Sequence, residues 1–195
     1  LYNIGVNWLG SGIVEWIRNN FYPDCSPETC YDVMISEAEK VLPGSNGLIL
    51  NPDFAGIKNP EGKGILQGLT LNTTRGEIVR ATFESLAFQT KYALEVLERA
   101  GNFNAETLIC VGGGSKNRLW NQLRADCTGI PITTIDQKET TALGAAFFAF
   151  QAAGVYSSAE KMRQSINYKQ VNIHPSKDTN LYTKLYQQWK KEINR

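Results

Sequence analysis

The sequence predicts an α/β domain, and three observations carry that prediction. Between residues 64 and 153, short apolar runs alternate with helical patterns. One long amphipathic stretch, Arg75 to Ala100, opens on Thr74 and Glu77 at capping-box spacing. A triple-glycine turn, Gly112-Gly113-Gly114, joins the apolar run Leu108-Ile109-Cys110-Val111 to a helical stripe of Leu119, Trp120, Leu123 and Ala125.

The elements follow in order. Ile13 to Asn20 reads as a helix after Gly10-Ser11-Gly12. Ser26, with Pro27 at the first helical position, opens a second helix with Val33, Ile35, Ala38 and Val41 as core contacts. Pro43-Gly44-Ser45-Asn46-Gly47 closes it, and Leu48-Ile49-Leu50 reads as a strand. Residues 51 to 63 are rich in loop formers, and Gly64 to Leu69 reads as another strand. The long helix sets Val79, Phe83, Leu86, Thr90, Ala93 or Leu94, and Leu97 on one side, and Gly101 ends it. After the glycine turn a helix runs to about Cys127, and Gly129-Ile130-Pro131 leads into the strand Ile132 to Ile135. Thr141 to Ala153 is an apolar helix whose small residues permit close packing on a sheet or a neighbouring helix. Ser157-x-x-Glu160 caps a short helix, and Asp178 starts the last, where Leu181, Leu185 and Trp189 align. No repeat, low-complexity stretch or linker divides the chain, so one domain is expected.

Composition narrows the function. Of 195 residues, 42% are hydrophobic and 20% charged, the profile of an ordinary soluble domain. Twenty Lys and Arg against 19 Asp and Glu give a net charge of +1, so no global field draws in nucleic acid or an anionic membrane. The apolar stretches are far short of a membrane span. Cys25, Cys30, Cys110 and Cys127 form no C-x-x-C pair and read as free thiols in a reducing cytoplasm. His174 is the sole histidine, which excludes a multi-histidine metal site. Residue 1 is Leu, the only methionines are Met34 and Met162, and no signal-peptide pattern is present, so the chain is expected to be a piece of something longer. Oligomeric state is not readable, and a homo-oligomer stays open.

The glycine turn carries the chemistry. Glycines let a backbone turn sharply and let a flat or phosphorylated ligand approach closely, and the helix beginning near Ser115 to Asn117 offers unpaired N–H groups to polar ligand atoms. The bland alternative is a turn that binds nothing. It matches no standard nucleotide fingerprint: G-x-x-x-x-G-K-[ST] is absent, and Asn117 stands where a G-x-G-x-x-G loop needs its last glycine.

Three ordered segments together resemble the C-terminal half of the FGGY carbohydrate kinases, the sugar-kinase branch of the actin, hexokinase and heat-shock ATPase superfamily. They are Gly64-Ile-Leu-Gln-Gly68-Leu69 followed by Glu77-Ile-Val-Arg-Ala-Thr-Phe-Glu84, the turn Gly112-Gly113-Gly114-Ser115-Lys116-Asn117, and Glu139-Thr-Thr-Ala-Leu-Gly-Ala-Ala146. Many family members carry His where Glu77 stands. The residues around Trp8-Leu9, Ser11-Gly12 and Glu15-Trp16, and Leu119-Trp-Asn-Gln122, are similar to the branch that acts on L-fuculose. Ile78 to Gln89 is nearly as similar to the glycerol-phosphorylating branch.

The resemblance implies an actin-like ATPase, ribonuclease H-like domain: the C-terminal, nucleotide-binding lobe (residues 1–195) of a two-lobed kinase. It implies ATP and Mg²⁺ as cofactors, a small-molecule sugar as substrate, and the missing N-terminal lobe as partner, with no nucleic acid or membrane. The sugar-binding residues and the proton-accepting aspartate would lie in that absent lobe, so no catalytic residue and no metal ligand is assigned here, Asp53, Asp126 and Asp136 included. The family's nucleotide positions fall on Gly112, Gly113, Gly114, Ser115 and Asn117, with Ser11 and Glu15 opposite. Gly113 would lie against adenine or ribose, and Asn117 would hydrogen-bond the purine edge, its amide being both donor and acceptor; the alternative for Asn117 is a helix N-cap. Glu15 stands where glycerol kinases carry Gln, and a solvated first-turn acid is its alternative. Arg75 and Arg80 are expected at the surface. The implied activity is ATP-dependent phosphorylation of L-fuculose to L-fuculose 1-phosphate by the full-length kinase, this piece being inactive alone. Another sugar kinase of the family, acting on L-rhamnulose, xylulose or glycerol, or a non-catalytic nucleotide-binding member, are the alternatives.

Overall fold

A computed structural model describes residues 10–54, 63–137, 139–166 and 168–193. Residues 1–9, which carry the opening of the resemblance, and most of the loop-rich stretch from 51 to 63 lie outside the described residues. In chain order the elements are α1 (Gly10–Phe21), α2 (Cys30–Glu39), β1 (Ile49–Asn51), β2 (Ile65–Gln67), α3 (Arg75–Gly101), β3 (Leu108–Cys110), α4 (Arg118–Thr128), β4 (Ile132–Ile135), α5 (Thr140–Ala152), α6 (Ala159–Gln164), β5 (Gln170–Ile173) and α7 (Thr179–Glu192). β1 and β2 pair antiparallel. A second sheet runs β3-β4-β5, with β4 parallel to β3 and antiparallel to β5. This is the α/β architecture expected.

Helix α3 is the axis of the molecule. Its capping box forms as the spacing predicts: Glu77 N–H donates to Thr74 Oγ1 at 3.3 Å, and Thr74 N–H donates to Glu77 Oε2 at 2.8 Å. Asn102, in the left-handed region at φ 50°, closes its far end. The predicted one-sided stripe understates its burial. From Ile78 to Phe88 every side chain is buried, because α1, α2, α4, α7 and β1 surround this half of the helix.

The start of α2 corrects the sequence reading. Cys30 N–H donates to the Ser26 carbonyl and the Ser26 and Thr29 hydroxyls pair at 3.0 Å, so Pro27 sits in a preceding turn and the helix begins at Cys30. Similarly Ser158, not Ser157, caps α6, its Oγ accepting from Lys161 N–H. On α7 the buried stripe is Tyr182, Tyr186 and Trp189, and Leu181 is 41% exposed. The aromatic rings gather around Phe88 with centroids 5.7–6.4 Å away, which turns the helix one residue from the expected register. β5 was not anticipated, since Gln170-Val-Asn-Ile173 is polar and lies at the exposed edge of its sheet.

Helix α5 takes the second of the two packings its small residues permit, a neighbouring helix, and both it and β3 are more exposed than their apolar composition suggests. No residue of α5 is buried; Phe148 is 77% exposed, and the helix packs chiefly against α6 rather than on a sheet. Strand β3 is only partly buried, with Ile109 66% exposed.

The arginines divide. Arg75 ties the start of α3 to α2 and to the turn after α1, donating to Glu37 at 2.9 Å and Asp24 at 2.9 Å while its guanidinium lies 4.3 Å from the Tyr22 ring centroid. Arg80, expected at the surface, is instead buried against Glu84 at 2.9 Å. The Arg75 hydrogen bonds hold both the Glu37 and Asp24 carboxyls below the usual carboxylate range. A carboxyl depressed in the folded state adds stability above its unfolded pKa, and that stability is lost as pH falls through the folded value. Urea midpoints should therefore fall below about pH 4, and Arg75→Met should flatten that fall; an unchanged pH profile in the variant would rule the network out as its source.

Among the described residues no helix is long and apolar enough to cross a membrane, and all four cysteines are free thiols.

Candidate nucleotide site

The glycine turn is built from a short 3₁₀ segment, Gly113–Lys116, wedged between β3 and α4. Gly112 enters it at φ +81°, a conformation that needs glycine. Ser115 closes it: its Oγ donates to the Gly112 carbonyl at 2.7 Å, and its own carbonyl accepts from Asn121 Nδ2 at 2.7 Å. Asn117 then caps α4, with Oδ1 accepting from Trp120 N–H at 3.0 Å. Of the two roles open to Asn117, the N-cap is thus formed.

The three glycines differ in what surrounds them. A Cβ built on Gly114 would lie 2.9 Å from Trp120 Cζ3, so this glycine makes room for an indole. A Cβ built on Gly112 or Gly113 would meet nothing within 4 Å. Gly113 faces open space without backbone strain.

That space belongs to a cavity of about 820 Å³ between α1, α2, α3 and the turn. Ser11, Gly113, Gly114 and Asn117 line it together, although more than a hundred positions separate the first from the rest. Gly112, Gly113 and Ser115 line a second recess of about 440 Å³ on the far side of the turn, beside Asp136 and Glu139. Glu15 is not among the residues lining either cavity. Its carboxylate accepts from the Tyr31 hydroxyl at 2.6 Å and pairs with Arg18, and the Tyr31 bond above all holds it below the usual carboxylate range. It therefore bears on the site through Tyr31, which does line the larger cavity. Of the acids left unassigned, Asp126 is structural: it accepts from Ser176 N–H at 2.6 Å and ties the segment after β5 to α4.

The floor of the larger cavity is aromatic and apolar. Trp120 stacks on Phe83 with centroids 5.9 Å apart, and the Arg124 guanidinium lies 3.7 Å from the indole ring centroid. Val14, Ile35, Leu86 and Val111 complete much of the wall. Tyr31, Trp120 and Arg124 were not read from the sequence as site residues. The last two have a sequence signal, since positions 117, 120 or 121 and 124 recur at helical spacing along one side of α4. Tyr31 has none, because only the packing of α1 on α2 brings it here. The arrangement suits a flat, largely apolar ligand with a polar edge. Among the described residues no cluster of three or more His, Cys, Asp or Glu could hold a metal ion.

The cavity opens onto the second glycine of the turn, the place where the family resemblance expects a ligand. The model of the FGGY family of carbohydrate kinases, C-terminal domain, matches residues 1–153, and the chain belongs to that family. It is 41% identical to L-fuculokinase of Escherichia coli strain K12 over 90% of this chain and 36% of that protein. The fold matches the crystal structure of xylulose kinase from Rhodospirillum rubrum with a TM-score of 0.81 and 25% identity, covering 94% of this chain and 37% of the other. It matches Plasmodium falciparum glycerol kinase with ADP at a TM-score of 0.77 and 26% identity, covering 97% and 37%. The structural matches bear out the actin-like ATPase fold. The chain spans little more than a third of the length of the relatives it matches.

Proposed function

We propose that this chain supplies the adenosine-holding lobe of a two-lobed, ATP-dependent carbohydrate kinase, and that the whole enzyme phosphorylates L-fuculose to L-fuculose 1-phosphate. One observation carries the nucleotide reading: Gly113, whose Cβ position is open, lines the same 820 Å³ cavity as Ser11 and Asn117. The ADP in the glycerol kinase match supports ATP as the donor. Identity to the E. coli L-fuculokinase supports the sugar. Of the alternative substrates L-rhamnulose, xylulose and glycerol, the last two draw support from the xylulose kinase and glycerol kinase that are among the solved structures sharing the fold.

In this reading Gly113 lets the nucleoside lie against backbone, and the amide of Asn117 meets the purine edge while its oxygen continues to cap α4. Trp120 and Phe83 keep the back of the pocket dry. Mg²⁺, when bound with ATP, would neutralise phosphate charge and keep several of its waters. The partner lobe would bring the sugar and the proton-accepting aspartate, and lobe closure would exclude water from the transfer.

The isolated chain should therefore bind ADP weakly and release none from ATP in a sugar-dependent way, while the two-lobed enzyme should do so with L-fuculose ahead of L-rhamnulose, xylulose and glycerol. Coupled ADP-release assays on both proteins test this. Sugar-dependent turnover by the isolated chain would overturn the division of labour, and a preference for another sugar would overturn the substrate.

A further inference from the structure

Among the described residues Arg124 is a cation without a paired carboxylate. It is partly buried on α4, two turns beyond the Asn117 cap, and it lines the large cavity. Among the described residues no carboxylate lies within ion-pair distance of it, although Asp32 lines the same cavity. Its fixed partners are neutral. One Nη donates to Asn121 Oδ1 at 3.0 Å, the Cys110 thiol is within hydrogen-bonding reach, and the guanidinium plane rests 3.7 Å above the Trp120 ring. Asn121 is itself pinned, its Nδ2 donating to the Ser115 carbonyl of the glycine turn. The turn therefore fixes the arginine through one buried amide. Burial pushes the guanidinium below its usual pKa, the direction expected of a charge that has lost water without gaining an anion.

Such a group is costly unless a ligand compensates it. The surroundings decide which ligand. Leu86, Val111 and Trp120 line the same cavity as the arginine, and Lys116 is exposed at the turn. A planar ring system with acceptor nitrogens at its edge fits here: guanidinium groups stack on bases and donate to their edges. Resting on the nucleotide reading above, we infer that Arg124 contacts the purine of the bound nucleotide and donates a hydrogen bond to one of its ring nitrogens. Arg124 is thus a specificity residue for the phosphoryl donor, in the same cavity as the Gly113 backbone.

The test uses the two-lobed kinase, with ADP binding followed by calorimetry and melting temperature recorded in parallel. Arg124→Ala should weaken ADP about tenfold and raise the KM for ATP by a similar factor, with the KM for sugar unchanged. Arg124→Lys should recover little, since an ammonium lacks the planar fork. The deciding probes are 1-deaza-, 3-deaza- and 7-deaza-ADP, each missing one ring acceptor. One of them should bind the wild type several-fold more weakly than ADP, and that penalty should vanish in Arg124→Ala. If the same penalty persists in the variant, or if Arg124→Ala binds ADP as tightly as wild type, the inference falls while the nucleotide reading stands. A lower melting temperature with ADP affinity intact also overturns it and assigns Arg124 to holding Trp120 and Asn121 in place. Failure of the wild type to bind ADP at all would instead remove the nucleotide reading itself.

Discussion

Gly113→Leu should abolish most nucleotide binding and leave stability intact, whereas Gly114→Leu should lower stability. The two glycines are adjacent in one turn, yet their surroundings are opposite. A side chain on Gly113 meets no atom within 4 Å of its Cβ, and its backbone is not in the left-handed region, so the folded chain tolerates leucine there. The added isobutyl group would occupy the space assigned to the nucleoside. A loss of at least about tenfold in ADP affinity, ~1.4 kcal/mol, is expected in the two-lobed enzyme, with the melting temperature hardly moved. At Gly114 the new Cβ falls 2.9 Å from Trp120 Cζ3, well inside contact distance. Trp120 cannot retreat freely, since it is buried and both Phe83 and Arg124 pack on its ring. Overpacking of that kind costs about 1–3 kcal/mol of stability. Calorimetric ADP titration and thermal melts on both variants separate the effects. Unchanged ADP affinity in Gly113→Leu would mean that the base does not lie where the proposal puts it.

These contrasts could not have been read from the sequence, where the glycines of 112–114 look equivalent. What the sequence did carry was local and periodic. The Thr74–Glu77 capping box, the extent of α3 and the helix following the glycine turn all depend on neighbouring residues, and all formed. Elements set by distant packing were misplaced. The stripe on α7 shifted to Tyr182, Tyr186 and Trp189 because Phe88, on another helix, draws the aromatics together. β5 was invisible because a polar edge strand has no apolar pattern to show. At the site, Gly113, Ser11 and Asn117 came from family resemblance, and the cavity brings them together. Glu15 and Ser115 were named on the same grounds but spend their polar atoms within the protein, on Tyr31 and Arg18 and on the turn itself. Arg124 and Tyr31 depend on which faces of α4 and α2 meet the cavity. Sequence spacing fixes only which residues share a face, not what that face sees.

Glu84→Ala should be among the most destabilising substitutions in the chain, by about 3–5 kcal/mol, and the reason lies in what the carboxylate holds together. Glu84 is 3% exposed on the buried half of α3. It accepts from Arg80 Nε at 2.9 Å, Tyr182 OH at 3.1 Å, Gly44 N–H at 3.0 Å and Ser45 Oγ at 2.9 Å. Those donors come from three places: its own helix, α7, and the turn leading into β1. The turn is conformationally demanding, with Gly44, Ser45 and Asn46 all at positive φ (88°, 49° and 51°). Two of these residues are non-glycine, and such backbone costs about 1–3 kcal/mol per residue unless its surroundings impose it. Removing the carboxylate releases the turn and strands Arg80 in the interior with the Tyr182 hydroxyl and a long contact to the Ala38 carbonyl as its polar partners. Against a total stability of about 5–15 kcal/mol, the loss is large enough to unfold much of the population at 37 °C. Replacing both ions, as in Arg80→Met with Glu84→Leu, removes the stranded charge and should recover part of the loss, but not the part owed to Gly44 and Ser45. Urea denaturation of wild type, Glu84→Leu, Arg80→Met and the double variant completes the cycle, with Glu84→Ala measured beside it. A Glu84→Ala variant within about 1 kcal/mol of wild type would show that the turn and Arg80 find water or other partners, and that Glu84 does not organise this end of the core.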